Sequence, residues 1–277
     1  SIIMIRILSK SMINKYFIPH LSKAQRGYIS QVPLWEIVNA ILYKFKTGVQ
    51  WSYLPCKSLI RSNKIKHGAI YHHFRKWCKD KSWKRAWMHL LSSLGSRLDL
   101  SLAFIDGTHT KAIKGGESVA YQGRKKASTT NTVWLTDRNG NVVGFLPPIS
   151  GKHNDLYQIE SGLESLIDML EQCGIRVEGL FLNADAGFDS KSLRKLCFRH
   201  GIILNAPANR RNAKQLDKED IFFDELMYEE RFVVERTHAW MDSHRTLLNR
   251  FDTSSLSWIA WHYIYTTLCW TKLLAKV

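Results

Sequence analysis

Two short apolar runs, each followed by an aspartate, constrain the fold of this chain more than any other feature. The first is Leu102–Ile105 before Asp106, and the second is Leu180–Ala184 before Asp185. Apolar runs of this length predict buried strands. A strand that carries a carboxylate at its polar end is a common way to present a hard oxygen ligand to Mg²⁺. The chain should therefore contain a sheet with an acidic group at the end of each of two strands.

The remaining pattern from residue 100 onward predicts a mixed α/β sheet. A hairpin signal, Asn139-Gly140, joins two β-rich runs, and strands and helices then alternate. The predicted strands are 100–105, 132–136, 142–146, 179–184 and 202–206, and the predicted helices are 156–172 and 190–199. The polar, basic stretch 209–220 has no hydrophobic periodicity and predicts a mobile loop.

The first hundred residues predict helices and carry much of the positive charge. The helices are expected at 33–46, at 69–79 and from Ser82 onward. Lys and Arg total 40 against 24 acids, a net charge of +16, which indicates a polyanionic partner. Between Lys57 and Arg85 the only acid is Asp80, so this segment is the candidate DNA-binding surface. A solvated helix face, or a basic protein without a DNA partner, is the alternative.

Cysteine usage and hydropathy predict a cytoplasmic protein without a membrane span. The five cysteines are scattered and form no metal-binding spacing, so reduced thiols are expected. The apolar segment 256–274 contains His262 and Lys272, which favours a buried C-terminal helix over a transmembrane one.

A third candidate acid, Glu235, lies in a helix predicted over 230–250. Arg231, Glu235, His238 and Asp242 share one stripe of that helix, so a surface ion pair between Arg231 and Glu235 is the alternative to a functional role. For Asp106 the alternative is ordinary Asp-Gly turn chemistry.

Two neighbouring acids are assigned structural roles. Asp189 can cap the following helix, which leaves Asp185 as the ligand candidate. Asp137 belongs to the predicted hairpin turn. Together, Asp106, Asp185 and Glu235 match the carboxylate cluster that two-metal phosphodiester cleavage requires.

Several strings in the chain resemble the DDE transposases of the insertion-sequence IS5 group, within the IS4/IS5 superfamily. In the N-terminal part these are Ile41–Trp51 and Tyr71–Trp77. In the catalytic part Ile105–Thr108 resembles the first-aspartate motif and Ala184–Ser190 the second. Tyr228, Arg231 and Glu235 fit the family's Tyr-x2-Arg-x3-Glu signature.

The resemblance implies a helical, basic DNA-binding domain over residues 1–97 and an RNase H-like catalytic domain over 98–277. It implies that the protein binds transposon ends and cleaves and joins DNA with two Mg²⁺ or Mn²⁺ ions held by Asp106, Asp185 and Glu235. Arg231 would orient Glu235 or meet a phosphate. The expected DNA contacts are Arg75, Lys76, Lys79, Tyr228 and Arg245.

The same resemblance implies a homodimer assembled on double-stranded DNA and nucleoid association when bound. The family signature has a lysine seven residues after the glutamate, where this chain has Asp242, and His244 or Arg245 is the expected substitute. A catalytically inactive, transposase-derived DNA-binding protein and a stand-alone nuclease of the same fold are the alternative functions.

Overall fold

The structure is a computed structural model that describes residues 4–23, 30–62, 64–209 and 222–275. Most of the predicted mobile loop 209–220 lies outside the described residues, and of that segment only Asn209 is described. Within the described ranges, no helix combines the length and the apolar character needed to cross a membrane.

The chain divides into two compact units. Unit 1 joins residues 1–90 to residues 241–277, and unit 2 comprises residues 91–240. The sequence-based domains, 1–97 and 98–277, place the C-terminal segment with the catalytic part, whereas the contacts group it with the N-terminal helices. The division into a DNA-binding domain over 1–97 and a catalytic domain over 98–277 stays a prediction.

Unit 1 is built from helices. They are α1 (Lys10–Tyr16), α2 (Leu34–Thr47), α3 (Cys56–Leu59), α4 (His67–Lys79), α5 (Ser82–Leu94, which runs into unit 2), α10 (Arg245–Leu248) and α11 (Ser255–Leu274). Of these, α2, α4, α5 and α11 lie where the sequence predicted helices, whereas α1, α3 and α10 were not predicted as separate helices. Pro33 precedes α2, and Gly48 ends it with a φ of 70° while its N–H donates to Lys44 O. Glycine adopts this left-handed conformation without the steric cost of a side chain.

The core of unit 1 is rich in aromatic side chains. Trp261 of α11 stacks on Phe74 of α4 with ring centroids 4.2 Å apart and on Phe45 of α2 at 5.7 Å. The prediction of a buried C-terminal helix is confirmed, because Trp258, Trp261 and Trp270 are all at most 1% exposed. Aromatic contacts of this kind pack α2, α4 and α11 together.

Unit 2 contains a mixed sheet with flanking helices. The strands are β1 (Ala103–Ala112), β2 (Ala120–Gln122), β3 (Ala127–Thr136), β4 (Val142–Phe145), β5 (Ile149–Ser150), β6 (Phe181–Asn183) and β7 (Ile203–Asn205), and a two-residue β8 (Asn249–Arg250) follows in unit 1. Neighbouring strands run in the order β2-β3-β1-β6-β7, with β1 antiparallel to β3 and parallel to β6, and β6 parallel to β7. β4 and β5 also pair with β3.

Helices complete unit 2. They are α6 (Ile159–Gln172), α7 (Lys191–Arg199), α8 (Glu225–Glu229) and α9 (Phe232–Asp242), the last ending in unit 1. The predicted hairpin is confirmed: Asp137 N–H donates to Asn141 O, and Asp137 Oδ1 accepts the N–H groups of Asn139 and Asn141. Asp137 therefore has the local turn role that the sequence predicted.

The single helix predicted over 230–250 is wrong, because the chain forms α9 and α10 with a break between them. His244 has an extended backbone (φ −102°, ψ 98°), and its ring stacks on Phe45 with centroids 5.0 Å apart. Burial of this ring within unit 1 favours the broken arrangement over one continuous helix. Helical periodicity in the sequence does not reveal this packing energy.

The position of Asp106 within its strand also differs from the prediction. β1 continues through Asp106, which pairs with Trp134, to Ala112. Gly107 pairs with Val133 and therefore does not begin a turn. Asp106 lies inside a long strand, at the level where the neighbouring short strand β6 has ended.

Candidate active site

The sheet places Asp106 and Asp185 side by side. In the parallel pair β1–β6, Phe104 is the partner of Asn183. Asp106 and Asp185 each follow that pair by two residues. They therefore lie at the same height along two neighbouring segments of the backbone. Adjacent strands lie about 4.8 Å apart. The two carboxylates thus lie near the C-terminal end of β6. Only Asp185 follows the end of its strand, because β1 continues beyond Asp106.

The surroundings of Asp106 disfavour its ionised form. Burial is the main cause that raises the pKa of Asp106 to about 6, and the negative charges of Asp185 and Asp155 raise it further. The guanidinium of Arg231 opposes this increase. A carboxyl pKa raised by desolvation and like charge is typical of functional sites.

Two side chains from the α9 segment contact Asp106. Arg231 Nη2 lies 3.6 Å from Asp106 Oδ1, and His238 Nδ1 lies 3.5 Å from Asp106 Oδ2. Burial, together with the nearby Arg231, lowers the pKa of His238 to about 4, so its imidazole is neutral at pH 7. Its Nε2 lies 3.1 Å from Thr108 Oγ1. Arg231 is therefore the positive charge that faces Asp106, and the neutral imidazole of His238 lies beside the same carboxyl group.

Arg231 also contacts Tyr228. Its Nη1 donates to Tyr228 Oη at 3.0 Å, and the guanidinium carbon lies 5.4 Å from the ring centroid. The sequence prediction gave Arg231 the role of orienting Glu235 or meeting a phosphate. The structure places its guanidinium on Asp106 and Tyr228 instead.

Glu235 lies between the two residues that reach Asp106. It follows Arg231 by four positions and precedes His238 by three, so the three share one face of the chain segment. Its side chain is exposed. Among the described residues, no three acidic, histidine or cysteine side chains are grouped closely enough to hold a metal ion together. The structure thus brings Asp106 and Asp185 together, and it places Glu235 on the stripe whose other members, Arg231 and His238, contact Asp106.

An apolar core anchors α9 against the strand that carries Asp106. Val233 and Val234 pack on Leu102 and Phe104, with Met227 and Phe181 at the edge of the cluster. Val233 and Val234 are at most 5% exposed, which fixes the rotation of α9 about its axis. The stripe that contains Arg231, Glu235 and His238 is held at the Asp106 side as a consequence.

Two buried asparagines that the sequence reasoning missed tie α8 to the sheet. Asn183, the last residue of β6, donates to Met227 O at 2.6 Å and accepts from Asn205 Nδ2 at 2.8 Å. Asn205, the last residue of β7, accepts the Asp224 N–H at 2.8 Å and donates to Asp224 O at 2.9 Å. An asparagine at the end of each of two apolar strands was the available signal, since a buried amide requires partners.

Asp189 has the structural role expected of it, but by a different contact. Ser190, not Asp189, caps α7 by accepting the Leu193 N–H. Asp189 is fully buried and pairs with Arg194 at 2.8 Å, and it also accepts the Asn209 N–H at 2.7 Å. Asp185 accepts the Gly187 N–H at 2.7 Å. The prediction of Asp189 as the cap is therefore wrong.

The side chains predicted to contact DNA in unit 1 differ in their exposure and in their contacts within the fold. Arg75 Nη1 donates to Ser257 Oγ, and Lys76 Nζ lies 3.4 Å from Ser22 O. Lys79 and Arg245 are exposed. His244, the other expected substitute for the lysine missing at Asp242, is only 7% exposed. Lys79 and Arg245 are thus the accessible cations of this group, while Arg75 and Lys76 also serve the fold.

Two family models match the chain and together span most of it. "Putative transposase of IS4/5 family" matches residues 11–87, and "Transposase DDE domain" matches residues 97–270. The second match alone spans more than half of the 277 residues. The chain belongs to the DDE transposases of the IS4/IS5 superfamily. It is a DNA transposase, an enzyme that acts on DNA.

Solved structures similar to this transposase include complexes of other transposases with DNA. The piggyBac synaptic complex with hairpin DNA has 11% identity and a TM-score of 0.45, covering 95% of this chain and 73% of that one. The Mos1 paired-end complex with the left transposon end has 10% identity and a TM-score of 0.29, covering 80% and 82%. No curated protein matches the chain.

The donor set at Asp106 and Asp185 suits the divalent metal ions that DDE transposases use. Carboxylate oxygens are the ligands that Mg²⁺ and Mn²⁺ prefer. Burial and, after it, neighbouring negative charge raise the pKa of Asp106, and a bound cation would offset both effects. The residues therefore fit a hard divalent cation.

Proposed function

We propose that this transposase, as a member of the IS5 group, binds the terminal repeats of an insertion sequence and catalyses strand cleavage and transfer into a target. Asp106, Asp185 and Glu235 are its catalytic carboxylates. The placement of Asp106 beside Asp185 at the edge of β6 is the observation that carries this proposal. The packing of α9 on β1, which keeps Glu235 in the same stripe as two residues that contact Asp106, supports it.

Two Mg²⁺ or Mn²⁺ ions would be held by Asp106, Asp185 and Glu235. When bound, such ions stabilise the attacking and the leaving oxygen of an in-line displacement at phosphorus. The protein residues around them position the acids. Arg231 and His238 contact Asp106, and the core formed by Val233 and Val234 holds the helix that bears Glu235.

We assign the binding of terminal-repeat DNA to the basic helices of unit 1. Lys79, at the end of α4, and Arg245 are exposed and can approach a phosphate without breaking an internal contact. Arg75 and Lys76 add positive charge from inside the same helix. Tyr228 is half-buried beside Arg231 and would contact DNA near the scissile bond. Synapsis of two transposon ends requires at least two copies, so we propose a homodimer on DNA.

The substitution Asp185→Asn tests the site most directly. We expect nicking and joining of labelled transposon ends to fall by roughly a thousandfold, because a bound ion supplies several kcal/mol of transition-state stabilisation. Affinity for the ends should stay within about twofold of wild type, since one carboxylate among many phosphate contacts changes binding little. The assay supplies Mg²⁺, labelled ends and a target plasmid.

Asp168→Asn is the matched control, because Asp168 is exposed on α6. It removes the same charge from unit 2 and should leave every step unchanged. Cleavage at the wild-type rate by Asp185→Asn would overturn the proposed site. Cleavage without joined product by the wild-type protein would indicate a stand-alone nuclease, and binding without cleavage would indicate an inactive, transposase-derived protein.

A further inference from the structure

The strand that carries Asp106 extends well beyond the proposed active site. β1 pairs with β6 at Ala103 and Phe104, whereas its pairing with β3 continues to Lys111. Each residue of a strand adds about 3.4 Å, so Lys111 lies roughly 17 Å from Asp106 along β1. β2 pairs with the start of β3, next to the end of β1. Three strands therefore continue past the level at which β6 ends.

The far end of these three strands carries five exposed cations. They are Lys111 and Lys114, at and just after the end of β1, and Arg124, Lys125 and Lys126 in the turn between β2 and β3. The two groups lie at the same end of the sheet, because β1 and β3 are antiparallel. Glu117 is the only acid in the sequence between residues 107 and 136. These five cations form the basic tip of unit 2.

No carboxylate pairs directly with a cation of the basic tip. Among the described residues, none of the five forms an ion pair. Burial lowers the pKa of His109 on β1, and the positive charges of Lys125 and Arg124 lower it further, against the charge of Asp155. Lys111 lies on the same side of β1 as His109, because side chains two residues apart on a strand share a face. Three cations thus lie on one side of the tip, where an approaching anion would reduce their repulsion.

Hydrogen bonds fix the turn that presents three of these cations. The N–H of Lys125 donates to Gln122 O at 3.1 Å, and that of Lys126 donates to Gly123 O at 3.3 Å. Gln122 Nε2 donates to Gly151 O at 2.9 Å, which ties the turn to the segment after β5. Lys126 has a φ of 48°, a left-handed conformation that favours glycine. A lysine that the fold keeps in this strained conformation points to a role for its side chain.

An exposed aromatic ring connects this surface to the face of the sheet that bears Asp106. Tyr121 on β2 pairs with Ser128, and Asp106 on β1 pairs with Trp134. Ser128 and Trp134 are an even number of residues apart on β3, so Tyr121 and Asp106 project from the same face. The side chain of Tyr121 is 63% exposed. A duplex that lies across this end of the sheet can therefore contact both the cations and the active-site face.

We propose that the basic tip binds the phosphate backbone of the target DNA duplex. Four of its five cations are lysines, which meet phosphates as point charges, and phosphate contacts carry no sequence information. A target can be bound through its backbone alone, whereas terminal repeats must be recognised by their sequence. The inference rests on the proposed function, since a target takes part only in strand transfer. The competing explanation is that the five cations are merely solvated.

The concentration of target DNA that gives half-maximal joining tests this assignment. Pre-cleaved transposon ends are bound to the full-length protein at saturation with Mg²⁺, and a target plasmid is titrated. For the double variant Lys111→Gln/Lys125→Gln we expect this concentration to rise roughly tenfold, a few-fold for each lost phosphate contact. The maximal rate and the cleavage of uncut ends should stay within about twofold of wild type, because the acids are unchanged.

Arg176→Gln/Lys195→Gln is the matched control. Both side chains are exposed elsewhere in unit 2, so this variant loses the same net charge without changing the tip. It should match wild type in target concentration and in rate. An equal loss in the control would assign the effect to net charge and overturn the inference, as would an unchanged target concentration in Lys111→Gln/Lys125→Gln. An equal loss of affinity for the transposon ends would assign the tip to the ends and overturn its role in target binding.

Lys126→Gly provides a second test, also if the double variant fails to fold. It removes one cation and relieves the left-handed strain, so its melting temperature should equal or exceed that of wild type. The half-maximal target concentration should still rise a few-fold, because a phosphate contact is lost. An unchanged target concentration in Lys126→Gly would show that the lysine is only solvated and would count against the proposal.

Asp185→Asn separates this inference from the proposed function. It should abolish joining but keep wild-type affinity for a duplex without terminal repeats, since it leaves the basic tip intact. Joining at the wild-type rate by Asp185→Asn would refute the proposed site itself. Loss of joining in Asp185→Asn, together with wild-type target dependence in Lys111→Gln/Lys125→Gln, would refute only the role of the basic tip.

Discussion

Asp185 and Asp189 are four residues apart in one short segment, yet their surroundings are opposite. Asp189 is fully buried and is paired with Arg194 and the Asn209 N–H. Asp185 is half-buried, accepts the Gly187 N–H, and lies beside a second acid at Asp106. A carboxylate whose partners lie within the fold stabilises the fold. A carboxylate crowded by like charge destabilises it and is available to an external cation.

The same contrast occurs between two cations of α4. Arg75 donates to Ser257 of α11, whereas Lys79 is exposed and has no partner among the described residues. Residues of the same charge at the same four-residue spacing thus serve the fold in one position and a ligand in the other. The internal partner, and not the residue type, marks the difference.

Replacing Asp189 should cause the largest change in stability. Asp189→Asn leaves Arg194, whose side chain is 22% exposed, without its ion pair. Breaking a buried pair at one partner costs about 3–5 kcal/mol. We expect the free energy of unfolding, measured by urea denaturation, to fall by about that amount. Asp185→Asn should change it by less than about 1 kcal/mol, and equal losses in the two variants would end the contrast.

The pH dependence of stability should show that the ionised form of Asp106 destabilises the folded state. Its pKa is about 6 in the folded protein and 3.8 ordinarily, so the folded state retains a proton that the unfolded state has lost. Stability therefore falls as pH rises from about 4 to about 6 and then levels off. A tenfold change in the ionisation constant of an acid corresponds to about 1.4 kcal/mol, so the penalty at pH 7 is about 1–3 kcal/mol.

Asp106→Asn removes this penalty. Its free energy of unfolding should exceed that of wild type by about 1–3 kcal/mol at pH 7.5, and the difference should disappear near pH 4. Denaturation curves of both proteins across this range provide the measurement. If the variant were less stable than wild type at pH 7.5, the Asp106 carboxylate would stabilise the folded state, as that of Asp189 does, and the contrast would fail.

The smallest expected effect separates Lys79 from Arg75. Lys79→Ala should weaken binding to transposon-end DNA a few-fold and reduce the slope of log affinity against log salt by about one, because one phosphate contact is lost. Its melting temperature should not change. Arg75→Ala should lower the melting temperature through the lost contact to α11. Fluorescence anisotropy at several salt concentrations measures the first effect, with exposed Lys15 on α1 as the control position.

The sequence predicted secondary-structure elements whose limits are set by residues close by in the chain. Pro33 and Gly48 set the limits of α2, and Asn139-Gly140 set the hairpin between β3 and β4. It also identified Asp106 and Asp185 as acids that follow two apolar strand segments, whereas the adjacency of these strands was seen only in the structure. It failed where two distant segments compete for the same residue. Burial of His244 against Phe45 interrupts the helix after α9, and no local pattern reports that energy.

Sequence by itself determined the family, the positions of the candidate acids along the chain and the strong positive charge of the helical part. These properties depend only on residue type and spacing. Tertiary structure decided which charges are satisfied. Arg194 neutralises Asp189, Arg231 turns to Asp106, and Asp155 fills the space above Gly107. Partners that are distant in sequence set the desolvation and the Coulomb energy of each acid, and those energies separate a structural carboxylate from one that can bind a cation.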